Sequence, residues 1–349
     1  MRSAPMALSR LATVATCVSA IAVASPAHAQ LPVPGAWTFV SSPHADLWFH
    51  GLAVVGFEGF APVPLYSRDY VARVHAAKAE RGVARTPLDS MAGSLRAGLE
   101  RDSTFELFHF VPLYFGVSSV PEMLEALNDV ARGRRPSDFG SGAVASVLTS
   151  RRQRRVLGEF VRALEVEWEL FYREYWEETR AANARHIVAS QQLWNRTLGP
   201  VLDPFLRARQ ALGGVAFVSP AVGLEGRVFG GRPERPDDHV AAVMLAPSDS
   251  LAAALLLVRE LCYPLASELT ERMQIGVGDR VFAERVSSRA AIRCGAMLLD
   301  RHVPNLTARY RELYLAATSE DGRGAEAFRR AFPVDALLLR ELREELRAY

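Results

Sequence analysis

The sequence has 349 residues, 41 Lys and Arg against 39 Asp and Glu, 49% hydrophobic residues and three cysteines. Two of the bases and none of the acids lie in the first 29 positions, so the remainder carries 39 of each and is formally neutral, which argues against a nucleic-acid partner. No run of about 18 uncharged apolar residues follows, so no membrane span is expected, and an apolar half supplies a large core.

The chain opens with the pattern of a secretory signal peptide. Arg2 and Arg10 precede an apolar stretch from Leu11 to about Ala24, and Ala27-His28-Ala29 forms a small-residue cleavage site before Gln30. Residues 1–29 are therefore expected to be removed and the mature protein exported, to the periplasm or the extracellular space. A lipidated Cys17 is the alternative, but "VATC" matches such a site poorly. After cleavage only Cys262 and Cys294 remain.

Residues 30–212 read as a helical lobe. Ser42-Pro43, Ser67 and Thr86-Pro87 each combine an N-cap residue with a proline or acid in the first turn, and Gly82 stops the second helix. Pro121 begins a further helix. The longest element, about 150 to 185, sets Leu157, Phe160, Val161, Leu164, Trp168, Phe171, Tyr172 and Tyr175 at three- and four-residue steps, a core-facing stripe. The pattern changes at Gly213. "GVAFVSP", "GRVFGG" and "HVAAVMLAP" read as two or three strands of a small antiparallel sheet. Ser248 and Asp249 then cap a helix, "SLAAALLLVRELCYPLASELTERMQ", residues 250–274, with Pro264 expected to kink or end it. Helical segments follow near 279–302, 304–317, 323–331 and 334–348. The expected class is mostly α, in the α+β class, with 213–349 packed on 30–212 as one unit.

The stretch "LLLVRELCYPL", residues 255–265, carries the chemistry. A short sheet followed by a buried helix with Glu in mid-course resembles the zincin metallopeptidases, whose H-E-x-x-H motif holds zinc on two histidines one turn apart while the Glu activates the bound water. Here Glu260 stands at the glutamate position, but Arg259 and Tyr263 stand at the histidine positions. Upstream, "GEFVRALEVEWELFYREYWEETR" resembles the aromatic helix of an uncharacterised zincin-like family of secreted bacterial proteins. Downstream, "AERVSSRAAIRCGAMLLDRH" resembles the gluzincin helix that supplies a glutamate as third ligand, which makes Glu284 the candidate.

The resemblance implies a degenerate site. Arginine stays protonated and offers no lone pair, and tyrosine coordinates only as phenolate, so no three-ligand zinc set is expected. An arginine between carboxylates can supply the positive charge a metal would otherwise bring. Arg259 is thus expected within salt-bridge range of Glu260 or Glu284, against the simpler reading of a polar stripe on a buried helix. Cys262 and Cys294 fall on the two helices zinc would tie together. A disulfide there would close a loop of about 30 residues and contribute roughly 3 kcal/mol, while two buried free thiols are the other reading.

Other candidates carry less. His44 reads as a first-turn surface residue and His50 as a hydrogen-bonded core residue; six apart on one helix, they cannot share a metal. His75, His109, His186 and His302 are isolated in sequence. Asp237, Asp238 and His239 form an expected exposed turn. Arg134, Arg135, Arg151, Arg152, Arg154 and Arg155 read as a solvated face. No G-x-S-x-G elbow, phosphate-binding glycine loop or paired C-x-x-C occurs.

The leading expectation is an exported, metallopeptidase-like protein without peptidase activity or cofactor. Its cleft, floored by Arg259, Glu260, Tyr263 and Glu284, would bind an unknown peptide or protein ligand. The alternatives are a zinc hydrolase drawing ligands from His50 or His239 with Glu260 and Glu284, and an envelope scaffold.

Overall fold

In the computed structural model the described residues are 36–349, apart from 59–62, 84, 231–237 and 319. The signal segment with Cys17, and Asp237, lie outside them. Strand β1 (Trp37–Val40) is followed by helices α1 (Pro43–Val55), α2 (Arg68–Glu80) and α3 (Pro87–Glu100). A 3-10 turn (Ser103–His109) leads to α4 (Val111–Phe115), α5 (Val120–Ala131) and α6 (Phe139–Val147). Ser42 stands at the N-cap of α1 but makes no side-chain cap bond, pairing with His44 instead, whereas other starts are capped by side chains. Ser67 Oγ accepts the Tyr70 amide at 3.2 Å, and Ser119 and Glu122 form a reciprocal capping box on α5.

Helices α7 (Arg151–Glu167), α8 (Arg173–Leu193) and α9 (Gly199–Ala208) form one unbroken helical run, joined by π turns at Trp168–Tyr172 and Trp194–Leu198. The run therefore passes well beyond residue 185, where the aromatic stripe fades. Gly199 and Pro200 look like a stop in sequence. They are absorbed because the π turn bonds the Gly199 amide to the Trp194 carbonyl, and a proline in the first turn of α9 needs no donor.

Strands β2 (Gly213–Ser219), β3 (Arg227–Phe229) and β4 (Asp238–Met244) join β1 in the order β1-β2-β4-β3. The class is mostly α with one small sheet, as expected, but the sheet is mixed: β1, β2 and β4 are parallel and only the edge strand β3 is antiparallel. Burial explains the difference. Ala216, Val218, Ala241 and Val243 enter one apolar core, while Phe217, Val240 and Ala242 enter the other. Strands buried on both faces read as continuous apolar runs and belong to parallel sheets, whose crossovers here are the whole helical lobe between β1 and β2 and residues 220–237 between β2 and β4. Strand β1 escaped the sequence reading because four residues give no periodicity. It is fixed by register with β2 and by Trp37 Nε1 donating to the Ala211 carbonyl at 2.9 Å.

Helices α10 (Ala252–Arg272), α11 (Arg280–His302), α12 (Pro304–Leu315), α13 (Gly324–Ala331) and α14 (Ala336–Arg347) complete the chain. Asp249 Oδ1 accepts the Leu251 amide at 2.8 Å at the start of α10. The expected helix end at Pro264 does not occur, because α10 continues to Arg272. Proline removes one backbone bond there, and Leu261, Leu265, Ala266 and Leu269 keep both sides of the interruption in the core.

Candidate functional site

Helix α10 is buried nearly all round, and two of its buried residues are charged. Arg259 and Glu260 are each 1% exposed. A buried guanidinium demands acceptors, and α10, α11 and the loop before β3 supply them to both terminal nitrogens of Arg259, while its Nε has no hydrogen-bond partner. Arg259 Nη1 donates to Glu260 Oε1 and Oε2, both at 2.9 Å. Its Nη2 donates to Ser288 Oγ on α11 at 2.8 Å and to the carboxylate of Glu225. Ser288 Oγ in turn donates to Glu225 Oε2 at 2.8 Å, and the guanidinium lies 5.0 Å from the Tyr263 ring centroid.

The remaining acceptor capacity of Glu260 is met by the backbone. The Gly226 amide donates to Glu260 Oε1 at 3.0 Å. Only glycine allows this approach, since a Cβ at 226 would lie 2.4 Å from the Ala242 carbonyl oxygen and 2.8 Å from the Glu260 carboxyl carbon. Next to it, Arg227 Nη1 donates to the Gly226 carbonyl at 2.9 Å and stands 3.5 Å from Glu225 Oε1. Two guanidinium groups thus balance two carboxylates in a buried layer.

Electrostatics follow from that layer. Burial opposes the charge on Arg259, but Glu225 and Glu260 outweigh it and hold the group well above the ordinary guanidinium range. Burial pushes Glu260 up to about 7, with Glu225 adding to the rise and Arg259 and Arg227 opposing it. Burial, then the Glu284 carboxylate, raises the Tyr263 phenol. Tyr263 is therefore held away from the phenolate form that could bind a metal.

Above the layer lies a pocket of about 110 Å³ whose walls include Glu106, Phe110, Arg227, Tyr263 and Glu284. All four expected residues, Arg259, Glu260, Tyr263 and Glu284, line it. The expected contact of Arg259 with Glu260 is present. Its second carboxylate is Glu225 rather than Glu284, which sits opposite Tyr263 instead. Glu284 lies one turn before Ser288 on α11, as Tyr263 lies one turn after Arg259 on α10, so the carboxylate stands at the level of the tyrosine. Arg227, Ser288 and Glu106 were also missed. The only signal for Glu225 was an acid held between glycines in "VGLEGRV".

The histidines proposed as alternative ligands do not enter this pocket. His50 is buried in a separate network: Nδ1 pairs with the Tyr70 hydroxyl and Nε2 with Glu167 Oε1, both at 2.9 Å, and its ring stacks on Tyr172. Lys78, the one lysine of the sequence, completes that network at 2.7 Å from Asp89 and 2.8 Å from Glu167. His239 stands on β4 beside Trp37. His44 is not a surface residue. Helix α1 is enclosed, and the ring bonds Ser42 Oγ at 2.7 Å while burial lowers its pKa to about 4. Arg134 pairs with Asp129 at 2.9 Å, and Arg151, Arg152 and Arg155 are exposed, as a solvated face requires.

The donor set does not fit zinc. Arg259 offers no lone pair and Tyr263 is held in its phenol form, and among the described residues no group of three His, Cys, Asp or Glu side chains is placed to hold a metal ion. Behind the layer, Cys262 and Cys294 face each other as free thiols with their sulfurs 2.6 Å apart. Comparison with known protein families, with curated proteins and with solved structures finds no match for this chain.

Replacing Arg259 by Met should destabilise the fold by about 3–5 kcal/mol, because two carboxylates stay buried without their cation. Urea unfolding checks this, and a loss below about 1 kcal/mol would show that Arg259 is not the counter-charge. Glu260 also makes stability depend on pH. Its folded pKa of about 7 lies above the ordinary 4.5, so its contribution is full below 4.5 and is lost as pH rises through about 7. Asp46, raised to about 6, acts the same way, and His44 acts oppositely, so the effect is read by difference. Between about pH 5 and pH 8, Glu260→Gln should flatten the fall in the denaturation midpoint; an unchanged profile would assign the titration elsewhere.

Proposed function

We propose that this chain is an exported, zincin-like protein that has lost metal-dependent catalysis and binds a peptide or protein ligand in the pocket over Glu260. The observation that carries the reading is the Arg259 guanidinium, buried between Glu260 and Glu225 where a metal-dependent site would need its cation. Residues 259 and 263, the two histidine positions of the resemblance, both line the pocket with Glu260, and α11 brings Glu284 to the same place. Strand β3 supports the ligand class. It is an edge strand of the sheet, Arg227 and Val228 on it line the pocket, and an edge strand is where an extended peptide can add. A hydrolase using His50 or His239 lacks those ligands at the pocket. The charged side chains that line the pocket favour ligand binding over a filled, purely structural cleft.

Restoring the missing pair tests the reading. Arg259→His with Tyr263→His should bind about one zinc per chain, and adding Glu284→Gln should weaken it by about tenfold or more. The pair is best made with and without Glu225→Gln, so that Glu225 is not left without a cation. A folded double variant that takes up no zinc would refute the zincin-like geometry.

Export would also place the two facing thiols in an oxidising compartment, where a bridge between Cys262 and Cys294 is the expected state. The intact mass of the exported protein should then rise by two hydrogens on reduction. The Cys262→Ala, Cys294→Ala pair should lose roughly 3 kcal/mol of stability. An exported protein whose mass is unchanged by reductant would contradict the bridge.

A further inference from the structure

The groups left unmatched in the pocket define its ligand more narrowly, given that the pocket binds one. On one side stand Glu106 and Glu284, neither in an ion pair with an Arg or Lys among the described residues; Tyr263 hydrogen-bonds Glu284, and Arg280 also lines the pocket and acts on Glu106. The nearest ring nitrogen to Glu106 is His109 Nε2 at 3.6 Å, too long for a hydrogen bond. Burial holds His109 neutral, so it gives Glu106 no countercharge. His109 is fixed in turn by Tyr66, whose hydroxyl lies 2.8 Å from Nδ1, and by Phe57 stacked on its ring.

On the other side stands Arg227. Its side chain is 10% exposed and its guanidinium lies over the Phe110 ring, yet its Nε has no hydrogen-bond partner. A buried guanidinium N–H left unmet calls for an acceptor oxygen. A simple cation would satisfy the carboxylates and leave Arg227 unmet. A simple anion would do the reverse and meet the carboxylates' repulsion.

We infer that the pocket takes an α-ammonium group with its neighbouring carbonyl or carboxylate oxygen, the head of a free amino acid or of a peptide amino terminus. The ammonium, with three donors and no acceptor, is held by Glu106 and Glu284, and the oxygen accepts from Arg227. The volume suits one such head. At about 110 Å³ the pocket has the room of a few water molecules, each about 30 Å³, so the rest of a longer ligand must lie outside it.

Calorimetric titration of the mature protein with L-alanine, trialanine and N-acetyl-trialanine tests this. Trialanine should bind, and acetylation, which removes the charge and two donors, should weaken it by about tenfold or more. Alanine binding as tightly as trialanine would identify a free amino acid, and trialanine alone would identify a peptide amino terminus. Glu106→Gln lies on the partly exposed wall away from the buried layer; it should weaken the free-amine ligands and reduce the penalty of acetylation. Arg227→Gln should weaken alanine. Equal affinity for the free and acetylated peptides, or no binding of either alanine or trialanine by the folded protein at millimolar concentration, would overturn the assignment. Zinc uptake by the histidine variant is a separate readout, so this inference can fail while the reading of the cleft stands.

Discussion

A guanidinium sealed inside a protein core constrains everything around it. Arg259 cannot shed its proton, so the interior must provide carboxylates, and those carboxylates are stable there only while the arginine remains. Glu260 comes from the same helix, Glu225 from the loop before β3 and Ser288 from α11. Three separate segments are thus tied to one cation. Gly226 is part of the same constraint, because its amide reaches Glu260 only without a side chain. A triad of this kind is seldom the cheapest route to stability, since a well-packed apolar replacement is often as stable. Here the triad forms the floor of a pocket that charged side chains line.

The sheet sets where that use can occur. Strands β1, β2 and β4 divide the molecule into two apolar cores, one beneath the helical lobe and one around α10 and the carboxy-terminal helices. Strand β3 lies at the edge of this partition, where Glu106 and Phe110 from the helical lobe meet Glu260, Tyr263 and Glu284 from the other core. The pocket therefore draws its walls from both halves of the fold.

Much of this was legible in the sequence because it rests on local chemistry. Capping residues located α1, α2, α3 and α5, and the adjacency of Arg259 and Glu260 on an apolar helix marked the site. What was not legible depends on register between distant segments. Glu225 lies 34 residues from Arg259, and a loop acid between glycines gives no sign of which charge it will meet. Of the two carboxylates expected near Arg259, Glu260 meets it, while Glu284 lines the same pocket beside Tyr263, one helical turn from where Ser288 meets Arg259. The parallel sheet was misread since buried strands lose the alternation that marks a half-exposed hairpin. His44 was misplaced because a first-turn histidine looks exposed until the packing around α1 is known.

The central claim is that Arg259 and its carboxylates form one energetic unit. A double-mutant cycle between Arg259→Met and Glu225→Gln, read by urea unfolding, measures this directly. The account predicts a coupling of about 2 kcal/mol or more, with the double variant more stable than the two single losses would sum to give. Strictly additive losses would contradict it and leave Arg259 as an independent buried charge.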